Sequence, residues 1–301
     1  MRSDERGKRR RGRDADAPGK VALHIGGFHA VQAALEAVSG LSTSGVSGEA
    51  KTSRSMVERV DAILVERGGS RVGATGSRPG GGRRRRAEGI LEAAARAGIP
   101  VRPAEDGECD RLTGVRSQGL AAAIRYRYGE FADVLAEGEG VLVFLDGVED
   151  PHNLGAVIRT AAAVGADGVV IPRHRAASVT PAVIRASAGT AVALPVCRVT
   201  NLVPAIQQAR EAGCWVTGLA ASGATLLQPG APDTRTALVV GGEGRGLRDL
   251  VARNCDEIAR LPMAEGVESL NASAAAAVAL YRLCEARLYP GPRRVDTLQK
   301  R

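Results

Sequence analysis

From residue 141 onward, short apolar runs alternate with longer amphipathic segments. "VLVFL", "GVVI" and "ALVV" are continuous apolar runs bounded by turn residues, the pattern of strands buried on both faces. The series predicts strands at 141–145, 168–171, 192–196, 214–219, 237–240 and 257–261. Helices are predicted at 153–165, 181–188, 201–212, 246–252 and 270–287. Short connections between alternating strands and helices imply a mostly parallel sheet covered on both faces. Upstream, a helix over 28–38, the strand "VDAILVE", the helix "AEGILEAAARAG" and the strands "IPVRPA" and "GLAAAIRYRYG" outline a small α/β domain over 21–128. "EFADVLAEGEG" is a linker or short helix across 129–139, and the longer α/β domain occupies 140–288. The predicted fold class is α/β, in two domains.

Composition supports this reading. Of the 301 residues 44% are hydrophobic but only 3% are aromatic. The cores must therefore be built from Ala, Val, Leu and Ile, which suits helix-on-sheet layers. The net charge of +8 is unevenly placed. Residues 1–20 carry eight Arg/Lys against four Asp/Glu, and 71–86 carry six Arg and no acid, so the rest of the chain is near −2. A GC-rich coding sequence accounts for Arg in place of Lys but not for the clustering. Residues 1–20 read as a disordered basic tail, 68–86 as a basic Arg/Gly-rich insertion, and 289–301 as a C-terminal tail. Such clusters bind polyanions and speed encounter. Five widely spaced cysteines without a CxxC pair, and four scattered histidines, indicate neither a disulfide framework nor a metal site. The N-terminus is charged and no apolar run approaches the ~18 residues of a membrane helix. A soluble, cytoplasmic protein is expected.

In parallel sheets ligands bind in the loops after the carboxyl ends of strands, and three such loops carry unusual residues. In "EDPHNLGAVIRT", Asn153 suits a helix N-cap, Gly155 permits close approach of a backbone or ligand, and Arg159 is expected on the same side of the helix as Asn153. The bland alternative is a capped helix with a solvated arginine. "ALVVGGEGRGLRDL" is a strand–glycine loop–helix unit. It lacks the third glycine of a dinucleotide fingerprint and the Gly-Lys-Ser/Thr of a P-loop, and Glu243 disfavours a phosphate there. In "ARLPMAEGVESLNASAAAAVALYRL", Ser269 or Asn271 could cap the Ala-rich helix, though capping does not explain the whole pattern.

Together, "NLGAVIRT", "VVGGEGRGL" and "LPMAEGVESLNASAAAAVALY" resemble the three ordered motifs of the SpoU (TrmH) family of RNA ribose 2′-O-methyltransferases, in the SPOUT superfamily, over about 140–288. "IGGFHAVQAAL", "RAEGILEAAARAGIP" and "SQGLAAAI" more loosely resemble the ribosomal-protein-like substrate-binding domain of the subgroup that methylates a guanosine of 23S ribosomal RNA. The third of these motifs commonly begins with His, where this chain has Ser117.

The resemblance implies a parallel sheet with a deep trefoil knot, a homodimer, and S-adenosylmethionine as cofactor. It places the cofactor against Gly242, Glu243 and Gly244, against Leu261, Pro262 and Met263, and against Ser269, Leu270 and Asn271. It makes Arg159 the group that activates the ribose hydroxyl, either transiently deprotonated or holding phosphate and alkoxide while another group takes the proton. Asn153 and Glu243 would orient Arg159 and the RNA, and Ser269 and Asn271 would organise the loops. His152 and His174 fall outside this pattern. A transfer-RNA or resistance-type methyltransferase of the same family, and a non-catalytic RNA-binding or ribosome-assembly factor, are the alternatives.

Overall fold

The computed structural model describes residues 19–39, 55–66, 81–231 and 234–288. Most of the expected basic tail, the insertion up to residue 80 and the C-terminal tail lie outside the described residues.

The first unit is a four-stranded sheet in the order β1 (Lys20–Gly26), β4 (Leu120–Arg127), β2 (Val57–Glu66), β3 (Val101–Ala104). β4 is antiparallel to both β1 and β2, while β2 and β3 run parallel. Helices α1 (Phe28–Ser39), α2 (Gly81–Arg96) and α3 (Glu108–Thr113) connect the strands. β1 and α3 were not anticipated, and α2 begins at Gly81, so the Arg-rich run enters a helix. Ser117 is fully buried, and its backbone N–H and hydroxyl both donate to Asp110. A Cβ on Gly26 would stand 2.9 Å from the Ser117 Cβ and 3.2 Å from Thr113. That crowding suits serine where the resembling family commonly has a larger histidine.

The second unit follows α4 (Phe131–Glu137), so the expected linker contains a helix. It is a seven-stranded sheet of β5 (Val141–Asp146), β6 (Gly168–Pro172), β7 (Val196–Val199), β8 (Trp215–Leu219), β9 (Thr225–Leu226), β10 (Thr236–Gly241) and β11 (Glu257–Arg260). The order is β7-β6-β5-β10-β8-β11-β9 and every pairing is parallel. Period-2 alternation sends Val141, Val143 and Leu145 into one core and Leu142 and Phe144 into the other. The first core is covered by α5 (Pro151–Ala163), α6 (Pro181–Ala186) and α9 (Ala272–Leu288). The second lies under α4, α7 (Leu202–Glu211) and α8 (Asp249–Ala252).

Two predicted elements are displaced. The strand expected at 192–196 is instead a 3-10 turn at Thr190–Val192 followed by β7. Pro195 has no N–H to give a ladder, and pairing with β6 begins at Val196. The helix expected at 246–252 shrinks to α8 because residues 242–248 are held as a loop. Gly246 N–H donates to the Gly242 carbonyl at 3.1 Å, and Arg248 N–H donates to the Asp146 carboxylate at 2.9 Å.

The two units share one core. Met56 N–H donates to the Val192 carbonyl at 2.9 Å, Val179 N–H donates to the Tyr128 hydroxyl at 2.9 Å, and Gly129 bridges to Cys197 on edge strand β7.

Candidate active site

The site forms where β5, β10 and β11 end. β5 leads through Gly147 to the Asp150-Pro151 start of α5. Asp150 is the N-cap, accepting from His152 N–H at 2.9 Å, and Pro151 holds the first helical position. Asn153 is therefore not the cap that its residue type suggested. It lies inside the first turn, buried, and its Nδ2 donates to Glu243 Oε1 at 2.5 Å.

Glu243 sits in the glycine loop after β10. The same Oε1 accepts from Asn271 Nδ2 at 2.9 Å, so one carboxylate oxygen joins three loops separated by 90 and 28 residues in sequence. Asn271 also caps α9, its Oδ1 accepting from Ser273 N–H at 2.9 Å and from the Ser273 hydroxyl at 2.6 Å. One side chain thus caps α9 and holds Glu243.

The glycines shape the rim. A Cβ on Gly242 would lie 2.1 Å from the Gly147 carbonyl oxygen, and one on Gly241 would lie 2.2 Å from the Gly246 backbone. Gly147, Gly244, Gly246 and Gly266 have positive φ and open space where a Cβ would stand. Gly155 serves packing: its Cβ would meet Ala186 at 2.5 Å and the Val183 carbonyl at 2.8 Å, so it brings α5 against α6. Asp146 and Arg248 escaped sequence reasoning. The buried Asp146 carboxylate receives Arg248 Nε and Nη2, each at 2.6 Å, and pins the far end of the glycine loop. An acid closing an apolar strand ahead of a glycine was the available signal.

The remaining predicted residues are less tightly assembled. Leu261 is buried, Met263 half-buried, and Pro262, Ser269 and Leu270 exposed. Ser269 makes no hydrogen bond to Glu243 or Asn271. Arg159 is exposed on α5, without an ion pair among the described residues. The expectation that it shares a face with Asn153 is overturned. Six residues at 3.6 per turn separate the two by roughly 120° around the helix, and packing turns Asn153 inward. Arg159 instead faces outward on α5, a helix that packs against α9.

Two thiols bear on nucleophilic alternatives. Burial pushes Cys109 up to about 12, with the Glu66 carboxylate adding to the shift, and burial likewise pushes Cys255 up to about 12. Neither is a thiolate near neutral pH. An unfolded thiol ionises near the ordinary value of 9.0, so the contribution of each thiol to stability is constant below that pH and falls as pH rises toward 12. The limit is about 1.4 kcal/mol per pH unit per thiol. Urea midpoints should match at pH 7 and 8 and drop above pH 9, and Cys109→Ala should remove part of the drop. A flat profile would contradict the burial effect.

Glu243 gives a second test. Removing it strands the buried Asn153 amide, at a cost of about 1–3 kcal/mol. Glu243→Ala should lower the thermal midpoint, whereas Glu243→Gln retains an acceptor oxygen and should stay close to the parent. Equal melting of both variants would show that the carboxylate does not tie the loops.

Among the described residues no three His, Cys, Asp or Glu side chains cluster to hold a metal, and no helix is long and apolar enough to cross a membrane.

A parallel sheet with three strand-end loops tied by one carboxylate defines an α/β enzyme whose site is built at the carboxyl rim. The SpoU rRNA Methylase family pattern matches residues 140–281. A protein of Staphylococcus haemolyticus assigned to the TrmH family of tRNA/rRNA methyltransferases is 40% identical over 211 residues, 68% of this chain and 85% of the relative. A Bacillus subtilis protein with the same assignment is 39% identical over 207 residues, 67% of this chain and 83% of the relative. The crystal structure of an AdoMet-bound rRNA methyltransferase from Sinorhizobium meliloti superposes with a TM-score of 0.67 at 22% identity, covering 89% of this chain and 88% of that one. The chain belongs to the SpoU/TrmH family of RNA methyltransferases.

Proposed function

We propose that the protein transfers a methyl group from S-adenosylmethionine to a ribose 2′-hydroxyl of ribosomal RNA, a guanosine of 23S RNA. The observation that carries this reading is the junction of Asn153, Glu243 and Asn271, which unites all three motifs of the methyltransferase domain. The strand-end loops fit the cofactor. Glycines at 244 and 246 leave the rim open, backbone groups there can meet the adenine and methionine polar atoms, and the half-buried Met263 and exposed Leu270 offer apolar surface. Gly242, Glu243, Gly244, Leu261, Pro262, Met263, Ser269, Leu270 and Asn271 would hold it. When bound, S-adenosylmethionine supplies a methyl group on a sulfonium, activated for in-line displacement.

The residues of the chain supply alignment and charge. Asn153 and Asn271 fix the Glu243 carboxylate, which leaves its second oxygen for a ribose hydroxyl. Arg159 stabilises the oxyanion that forms as the hydroxyl passes its proton to that free Glu243 oxygen; a guanidinium is a charge donor and a poor base. Because Arg159 lies apart from this junction, we assign the working enzyme as a homodimer in which Arg159 completes the site of a second copy. Val278 and Tyr281, large apolar side chains left exposed on α9, the helix packed against α5, favour such a contact. We further assign the family's trefoil knot to this domain. α9 packs close under the loop before β10: a Cβ on Gly230 would stand 2.4 Å from the Leu283 carbonyl oxygen, and Arg287 donates to the Thr234 carbonyl at 2.9 Å. The N-terminal sheet takes the ribosomal-protein-like, RNA-binding part.

The deciding experiment incubates the protein with a labelled methyl donor and fragments of 23S RNA or transfer RNA, then maps the product. Label on a 23S guanosine ribose is expected. Label confined to transfer RNA would move the same chemistry to another substrate, and no label together with no cofactor binding would favour an assembly factor.

A further inference from the structure

We propose that the open cavity between the N-terminal sheet and α6 seats a backbone phosphate of the RNA substrate, gripped by Arg86, Arg116 and Arg185. The inference rests on the RNA-substrate reading and extends it to a place that involves none of the residues assigned to methyl transfer. The cavity measures about 350 Å³, within the range of small-ligand sites. Its three arginines come from separate elements: Arg86 from α2, Arg116 from the loop before β4, and Arg185 from α6 of the methyltransferase domain.

No carboxylate lines the cavity, and none of the three arginines forms an ion pair among the described residues. The acid that feels Arg116 and Arg185 most clearly is Asp110. The Ser117 hydroxyl and amide hold its carboxyl below the usual range first, and the two arginines add to this. Asp110 is thus already engaged. Three cations gathered around a lining that holds no carboxylate repel one another, and an anion between them relieves that repulsion. Phe28, His29 and Ala30 also line the cavity, in the first turn of α1, where amide N–H groups lack intrahelical acceptors. They donate to no backbone carbonyl among the described residues, which again favours a phosphate.

Two stretches that the methyltransferase site leaves unused meet here, "GGFHA" at 26–30 and Gln118. The arginine run 83–86 ends at the cavity. An open seat that spans two domains at the end of a basic run suits a phosphate within a chain better than a free ion. Arg185 would then couple RNA held by the first domain to the placement of the methyltransferase domain.

The test measures binding of a 5′-fluorescein-labelled RNA hairpin across a KCl series, for the full chain and for R116A, R185A and R185K. Each alanine variant should bind more weakly and lower the log–log salt slope by about 0.7–0.9, the loss of one phosphate contact. R185K should keep the slope, and calorimetric uptake of S-adenosylmethionine should be unchanged in all. R116A stands in if R185A lowers the melting temperature. Unchanged affinity and slope in both alanine variants would overturn the proposal. So would an Arg185-dependent uptake of inorganic phosphate with RNA binding unaffected, which would make the cavity a small-anion site. A parent protein that binds S-adenosylmethionine but no hairpin would sink the seat and leave the cofactor reading standing. Hairpin binding without cofactor uptake would do the reverse.

Discussion

Arg159→Ala should reduce methyl transfer by about 10²–10³-fold or more while leaving folding and cofactor affinity unchanged. The magnitude is that of removing one preorganised donor from a developing oxyanion. The selectivity follows from position. Arg159 is exposed and carries no ion pair among the described residues, so its removal strands no buried partner and opens no cavity. Exposed substitutions of this kind usually change stability by no more than about 0.5 kcal/mol. Single-turnover rates with saturating donor and RNA, beside thermal melting and calorimetric binding of the donor, give the necessary comparison. Near-parental turnover would remove Arg159 from the reaction. Arg159→Lys separates the two roles open to the guanidinium. If it acts through charge, lysine should recover part of the rate with little change in pH dependence. A rate limited by deprotonation of the residue should shift its pH profile with the lower lysine pKa. A further measurement exploits the dimer. Mixing Arg159→Ala with a Glu243→Ala partner should restore one functional site per heterodimer if Arg159 serves the opposite copy, and none if each chain is self-sufficient.

Gly242→Ala should weaken cofactor binding by about ten- to a hundredfold and suppress activity in proportion. The added Cβ would lie 2.1 Å from the Gly147 carbonyl oxygen. Both groups are backbone, so no side chain can swing aside. The loop after β10 must move relative to the end of β5, where Gly242 N–H also donates to the Asp146 carbonyl at 2.8 Å. Overpacking of this kind costs about 1–3 kcal/mol, and each 1.4 kcal/mol is a factor of ten in affinity. Calorimetry with S-adenosylmethionine reads the effect directly. Gly244→Ala is the contrast. Its neighbourhood is open, and only its φ of 80° opposes a side chain, so a smaller loss is expected. Equal losses would show that conformation and not close approach governs the loop.

Much of this architecture was legible locally. Continuous apolar runs at 141–145 and 237–240 became the buried central strands β5 and β10 because strands covered on both faces cannot carry polar side chains. The Asp150-Pro151 pair held the true cap signal, which Asn153 obscured by being an equally good capping residue. Helical phase was also readable in principle: six residues do not return to one face, and the separation of Arg159 from Asn153 follows from the 3.6-residue turn. The truncation of the predicted helix at 246–252 was not readable. It depends on Asp146, about a hundred residues away, accepting from Arg248.

By itself the sequence determined the alternation of elements, the glycine-bearing turns and the residue types at three strand ends, since these are written in neighbours a few positions apart. Tertiary structure alone decided that Glu243 would receive both Asn153 and Asn271, that Arg159 would face outward, and that three distant arginines would line one cavity. Such contacts depend on strand order and on the rotation of each helix against the sheet, and both are set by packing across the whole chain.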